Sequence, residues 1–91
     1  MNKGELVERV AELASVTKKD AGKVLDATLT AIGEAVANGD TVSLADFGKF
    51  EARQRKGRTG RNPQTGDALD IAAKVVPAFQ AFARFKKLVN R

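Results

Sequence analysis

The chain has 91 residues, which is enough for one small domain, and 16 Lys and Arg against 11 Asp and Glu give it a net charge of +5. It contains no Cys, His, Trp or Tyr, which excludes disulfides, thiol nucleophiles, imidazole bases and the usual zinc sites. No apolar run is long enough to cross a bilayer, and the first residues lack the apolar segment of a signal peptide. We therefore expect a soluble, intracellular basic protein with no cofactor, no metal, no membrane partner and no enzymatic activity.

The positive charge is concentrated in the second half of the chain. Residues 1–46 contain five bases and eight acids, whereas residues 47–91 contain eleven bases and three acids. The segment Arg53–Arg61 has five bases and no acid. Phosphate is the commonest partner of such a run, so the distribution favours a nucleic acid over the alternative of a solvated basic loop.

The first half of the chain predicts two helices. Lys3–Ala14 forms the first, with Asn2 as its N-cap, because an Asn side chain can accept a hydrogen bond from a free N–H of the first turn. Glu5 and Arg9 are four residues apart and are expected to pair on its outer face. The apolar face of this helix is expected to comprise Leu6, Val10, Leu13 and Ala14.

A second helix follows after a short connection. Thr17 is its expected N-cap, and Gly39 stops it, because glycine readily adopts the left-handed conformation found at helix ends. The two helices together predict a helical hairpin over residues 3–38. A DNA-reading helix-turn-helix is a weaker alternative, since the second helix turns the acids Asp26 and Glu34 outward.

From residue 41 onward the pattern changes to strands. Thr41–Leu44 and Lys49–Gln54 read as two strands, with a turn at Asp46–Gly48 between them. A third strand is expected later in the chain, which places the predicted sheet within residues 41–76.

The third strand and a final helix complete the body. Ile71–Val76 is apolar enough to return to the sheet, and Pro77 is expected to end the strand. A short C-terminal helix is predicted over about residues 81–90. Its apolar side is read from four residues at three-residue spacing: Phe79, Phe82, Phe85 and Leu88.

Residues 53–75, the arm, are mostly too polar to bury themselves and are expected to project from the body. The turn signal Asn-Pro-Gln-Thr-Gly at positions 62–66 predicts a hairpin centred on Gln64, with a reach of about 30 Å at roughly 3.3 Å per residue. This register sets two opposite-charge pairs across the hairpin: Asp67 with Arg61, and Asp70 with Arg58. We expect the arm to be mobile until a ligand binds it.

Four strings in this sequence resemble the HU and integration host factor family of bacterial DNA-bending proteins, and HU more closely. They are MNKGELV at the start, DFGKFEAR at 46–53, GRTGRNPQTG at 57–66 and VPAF at 76–79. The resemblance covers the whole chain without an evident gap. It implies an α+β fold with a helical hairpin, a three-stranded antiparallel sheet, a long protruding β-arm and a short C-terminal helix, assembled as an intertwined dimer.

The sequence departs from the family pattern at two places. Asp46 stands where the family usually has Gly, which bears on the turn between the first two strands. Phe82 and Ala83 stand where the family usually has Gly-Lys, a position that binds phosphate. Arg84, Lys86 or Lys87 is expected to compensate for the missing lysine.

The resemblance implies that the arm binds duplex DNA through the minor groove. HU and integration host factor are already known as minor-groove architectural proteins, so this mode of binding is a family property. Pro63 is the expected wedge between base pairs, because its ring is rigid, apolar and without an N–H. The arm residues implied in binding are Arg53, Arg55, Lys56, Arg58, Arg61, Asn62, Pro63 and Gln64.

Further residues are expected to act on the body. Weaker candidates for phosphate binding, each with a simple solvated charge as the alternative, are Lys3, Lys74, Arg84, Lys86 and Lys87. The expected dimer core contains Phe47, Phe50 and Phe79. Gly48, Gly60 and Gly66 are interpreted as residues required by backbone conformation.

The expected function is that of a histone-like architectural protein of the bacterial nucleoid. It would bind double-stranded DNA with little sequence preference and favour nicked, gapped or flexible sites. A homodimer is expected, while a heterodimer with a paralogue and a plastid or phage origin stay open. One alternative is a site-specific bender like integration host factor. Another is a basic RNA-binding protein, which is disfavoured because no aromatic residue lies between Phe50 and Phe79.

Overall fold

A computed structural model describes residues 1–55, 58–61, 64–66, 68–71 and 74–90, with the side chains of 55, 58–61 and 68–71 outside the description. The chain is α+β and divides into two compact units, residues 1–34 and 35–91. Among the described residues, no helix combines the length and apolar character of a membrane span. In chain order the elements are α1 (Lys3–Ala14), α2 (Lys18–Ala37), β1 (Val42–Leu44), β2 (Gly48–Arg55), β3 (Arg58–Arg61), β4 (Ala68–Ile71), β5 (Lys74–Ala81) and α3 (Ala83–Val89).

Both predicted N-caps of the helical hairpin are confirmed. The Asn2 side chain accepts a hydrogen bond from the Glu5 N–H at 2.9 Å, and Thr17 Oγ1 accepts one from the Asp20 N–H at 3.1 Å. Gly39 follows α2 with φ +81°, in the left-handed conformation predicted for it. These local signals therefore fix the ends of α1 and α2 close to their predicted bounds.

Two ion pairs show that α1 and α2 run antiparallel. Lys18 Nζ donates to Glu8 Oε1 at 3.1 Å near the connection, and Lys3 Nζ lies 2.6 Å from Asp26 Oδ1 further along the hairpin.

The predicted pair between Glu5 and Arg9 is wrong. Arg9 Nη1 instead donates to Glu12 Oε2 at 2.8 Å. Residues three apart are neighbours on a helix just as residues four apart are, so Arg9 had a second acid within range.

The buried side of the hairpin differs from the predicted apolar face. Ala11 and Ala21 are the only buried hydrophobic residues in the described part of the chain. A Cβ on Gly22 would lie 3.9 Å from Val7 Cγ1, so α1 and α2 approach where small side chains meet. Leu13, which spacing assigned to the core face, is instead 69% exposed. Leu6, Val24 and Leu29 are also exposed, whereas Val10, Leu25, Ile32 and Val36 are half-buried.

The predicted three-stranded antiparallel sheet is confirmed, with β2 in its centre and the order β1-β2-β5. Its last strand was predicted over Ile71–Val76, but β5 begins at Lys74 and runs through Pro77 to Ala81, while Ile71 lies in β4. Pro77 therefore does not end the strand. Among the described strands β5 pairs with β2 alone, and a proline without an N–H is tolerated in such an edge strand.

The final helix is shorter than the phenylalanine spacing indicated. Phe79 lies in β5 and Phe82 is the extended N-cap of α3, so assigning these two residues to the helix was wrong. Phe85 and Leu88 do belong to α3. A three-residue period across a strand end was mistaken for one helical face, since spacing alone does not show where the backbone changes conformation.

The strands β3 and β4 form a separate two-stranded antiparallel sheet, as the predicted hairpin requires. Its register is one residue away from the prediction. Arg58 is paired with Ile71, and Asp70 with Thr59, so the expected pairing of Arg58 with Asp70 is wrong; Asp67 lies outside the described residues. Turn geometry sets hairpin register, and one extra loop residue moves every cross-strand partner.

Gly48 is required because a side chain would not fit at this position, and not because of its backbone conformation. The interpretation made from the sequence was therefore wrong. It is buried and opens β2 instead of lying in the preceding turn. A Cβ placed on it would lie 2.5 Å from the Gln80 carbonyl oxygen and 2.5 Å from Phe79 Cζ. The residue with a positive φ in this region is Asp46, at +64°. In the turn of the β3–β4 hairpin it is Gly66, at +76°.

We expect Gly48→Ala to lower the free energy of unfolding by about 1–3 kcal/mol, because an added methyl group overpacks the contact between β2 and β5. Gly33→Ala is the matched control, since nothing lies within 4 Å of a Cβ at that exposed helical position. The control should leave stability unchanged or raise it by up to about 1 kcal/mol. Urea unfolding followed by circular dichroism measures both, and equal stabilities would contradict the close-contact explanation.

Candidate nucleic-acid interface

Strand β2 separates charge from apolar surface. Successive side chains of a strand point to opposite faces, so Lys49, Glu51 and Arg53 share one face while Phe50 and Ala52 share the other. One strand therefore supplies both a charged surface and part of an aromatic cluster.

Glu51 holds the two cations beside it on the charged face. Arg53 Nε donates to Glu51 Oε1 at 3.0 Å, and Lys49 Nζ lies 3.2 Å from Glu51 Oε2. The hydrogen bond from Arg53, followed by that from Lys49, lowers the pKa of the Glu51 carboxyl below its ordinary value of 4.5. Glu51 is a positioning residue that was not predicted from the sequence, although the Lys-Glu-Arg alternation at every second position was a usable signal.

Two basic residues are paired in register at the end of the three-stranded sheet. Arg55 and Lys74 are direct cross-strand partners, and two like charges opposite each other destabilise a ladder. The next strand, β3, begins with Arg58 and ends with Arg61. An anion at this end of the sheet would relieve the repulsion between the paired cations.

The remaining predicted arm residues are only partly described. Gln64 is exposed in the turn of the hairpin. The predicted binding residues Lys56 and Asn62 and the predicted wedge Pro63 lie outside the described residues. Their roles stay predictions.

The three phenylalanines expected at the dimer core belong to one aromatic cluster. The Phe79 ring centroid lies 4.8 Å from that of Phe50 and 5.5 Å from that of Phe47. A fourth ring, Phe85 of α3, stacks on Phe47 at 4.7 Å; its spacing in the sequence had indicated only a position on a helix face. Phe47 and Phe79 remain 42% and 40% exposed, so part of this cluster is left uncovered.

The candidate phosphate-binding residues of the body fall in different units. Lys3 lies in the helical hairpin, where it already pairs with Asp26. The other four lie in the second unit: Lys74 opens β5, while Arg84, Lys86 and Lys87 belong to α3 and are exposed. Arg84 Nη1 lies 3.9 Å from Asp46 Oδ2, so it too faces an acid.

We expect the stability difference between the parent protein and Glu51→Gln to depend on pH. Because the folded pKa of Glu51 is lowered, its contribution is fully present above 4.5 and disappears as pH falls through the lower folded pKa. Glu51→Gln should therefore be less stable than the parent at neutral pH and equal to it in strong acid. Thermal unfolding across this pH range measures the difference, and a constant gap would rule out the carboxylate as its source.

Comparison with known proteins agrees with this arrangement. The family model described as bacterial DNA-binding protein matches residues 1–90. DNA-binding protein HU of Nostoc is 57% identical over 89 residues, which cover 98% of this chain and 95% of that relative. DNA-binding protein HU-1 of Halalkalibacterium halodurans is 51% identical over 90 residues, which cover 99% of this chain and 100% of that relative. The Anabaena HU–DNA cocrystal structure matches with a TM-score of 0.87 at 57% identity, covering 98% of this chain and 97% of that one. HU from Thermotoga maritima matches with a TM-score of 0.70 at 35% identity, covering 98% of both chains. The chain therefore belongs to the bacterial DNA-binding protein family, among relatives that are HU proteins.

Proposed function

We propose that this chain is a histone-like architectural protein that binds double-stranded DNA with little sequence preference and bends it. The observation on which this rests is the in-register pairing of Arg55 with Lys74, followed along the chain by the two arginines of β3, in a chain similar over 98% of its length to an HU protein crystallised with DNA. Phosphate is the anion that such charge attracts along a duplex. The function is structural rather than catalytic.

The binding unit in this proposal is a dimer. Only two small residues, Ala11 and Ala21, are buried hydrophobic residues in the described part of one chain. The aromatic cluster of Phe47, Phe50, Phe79 and Phe85 is partly exposed, and Leu88 of α3 is 72% exposed. A second copy supplies the missing cover, since oligomerisation is a usual remedy for a core this small.

Each arm then follows the minor groove of the duplex. The cations Arg53, Arg55, Lys56, Arg58 and Arg61 neutralise phosphates, and Asn62 and Gln64 donate to groove acceptors. Pro63 enters a base step as the wedge, which is the known family mode of bending. If a dimer meets about ten phosphates, the slope of log affinity against log salt is about −9.

Binding of this kind favours DNA that is easy to deform. The proposed interactions go to phosphates and the minor groove, whose donor and acceptor pattern is degenerate, so sequence is read weakly. The free energy of bending then decides between sites, and nicked, gapped or mismatched duplexes cost least to bend. In a bacterium this activity would belong to the nucleoid.

Two observations weigh against the other candidate functions. HU proteins match this chain at 51–57% identity over nearly its full length, which favours an HU-type binder over a site-specific bender. The basic segment from Arg53 to Arg61 has no aromatic residue on which single-stranded RNA bases could stack.

The test is a titration of an intact and a centrally nicked duplex of one sequence, with donor and acceptor dyes at the two ends to report bending. We expect the nicked duplex to bind at least about fivefold tighter, since smoothly bending an intact site costs about 1–6 kcal/mol. Pro63→Ala should reduce the bend more than the affinity, because it removes the wedge and leaves the cations. Arg61→Ala is the matched arm variant, which should flatten the salt slope by about 0.9 for each phosphate that is no longer neutralised.

Each outcome decides one part of the proposal. Equal affinity for both duplexes would contradict deformation-dependent binding, and tighter binding to an RNA hairpin would replace the DNA function. An unchanged bend with Pro63→Ala would remove the wedge assignment while leaving DNA binding in place. An unchanged salt slope with Arg61→Ala would mean that this side chain meets no phosphate.

A further inference from the structure

The turn between β1 and β2 and the start of α3 are held together by a backbone hydrogen bond and by two stacked rings. The Phe82 N–H, one residue before α3, donates to the Phe47 carbonyl oxygen at 2.9 Å. The Phe47 and Phe85 rings stack nearly parallel, with 11° between their planes. The position of this turn relative to α3 is therefore set by the fold and not by a single surface side chain.

That arrangement places one acid against a helix that is otherwise basic. α3 has the sequence ARFKKLV, with three cations and no acid. Asp46, at the tip of the turn, lies 3.9 Å from Arg84 through Oδ2, and the two side chains are 71% and 77% exposed. A carboxylate at this distance lowers the positive potential that α3 presents to a polyanion.

The conformation of Asp46 restricts which side chains fit at this position. Its φ of +64° is in the left-handed region, where Asp and Asn are accepted far better than most residues with a Cβ. Asn can therefore replace Asp46 with the same shape and backbone while removing the charge. An open cavity of about 520 Å³ beside the pair gives access to it and is lined by Asp46, Phe47, Arg84, Phe85, Lys87 and Leu88.

We propose that Asp46 competes with DNA phosphate for Arg84 and so limits how much α3 contributes to binding. In the free protein the carboxylate faces the guanidinium, and on the duplex it keeps Arg84 from fully neutralising a phosphate. Asp46 is in this account a residue that tunes affinity and salt dependence, without itself binding DNA. The proposal rests on the DNA-binding function proposed above.

The test compares Asp46→Asn with the parent on one intact duplex over a series of salt concentrations. Freeing Arg84 to neutralise one more phosphate should steepen the salt slope by about 0.9 per chain, or about 1.8 for a dimer. Affinity at low salt should rise several-fold. Asp40→Asn is the matched control: it removes the same charge from an exposed acid whose Oδ1 accepts the Thr41 N–H, a bond that Asn retains.

A double-mutant cycle isolates the pair. Arg84→Gln should weaken binding more in the Asp46→Asn background than in the parent, because only there is the guanidinium free of its acid. An equal loss of affinity in both backgrounds would overturn the proposal. Equal gains in affinity from Asp46→Asn and Asp40→Asn would also overturn it, because the change in net charge alone would then explain the gain. Failure of the parent itself to bind DNA would instead contradict the proposed function, so the two failures are distinguishable.

Discussion

The structure is dominated by a shortage of buried apolar surface. Large side chains such as Leu13, Phe47 and Leu88 stay substantially exposed, and only alanines are buried hydrophobic residues in the described part of the chain. Hydrophobic burial is the main favourable term in folding, so one copy has little to offset its conformational entropy. A second copy over the aromatic cluster is the simplest way to supply the missing burial, and the proposed paired arms follow from it.

The central strand allows one small sheet to serve both packing and binding. Along β2, Phe50 faces the aromatic cluster, while Lys49, Glu51 and Arg53 alternate onto the opposite side. Glu51 receives both neighbouring cations, which fixes their side chains and neutralises part of their charge. After Glu51 the sequence contains five basic residues and no acid until Asp67, so its basic residues are concentrated toward the β3–β4 hairpin.

Local signals in the sequence predicted the ends of α1 and α2, whereas features that depend on tertiary contacts could not be predicted from it. Asn2 and Thr17 cap helices through bonds to residues three positions away, so their roles follow from nearby sequence alone. Pro77 was misjudged because its tolerance depends on lying in an edge strand, which is a property of the whole sheet. The need for Gly48 was likewise hidden, since it depends on Phe79 and Gln80, which are distant in the sequence. The composition of the arm predicted a hairpin, but the pairing of its strands depends on the exact length of the turn, which the sequence did not define to within one residue.

The most direct test of the dimeric account is thermal unfolding of the purified protein over a wide range of concentration, combined with its sedimentation mass. If two chains are needed to complete the core, the unfolding midpoint rises with protein concentration, because unfolding and dissociation occur together. The folded species should then have twice the mass of one chain, which is 9.7 kDa. A midpoint independent of concentration, with a folded species of single-chain mass, would contradict the account.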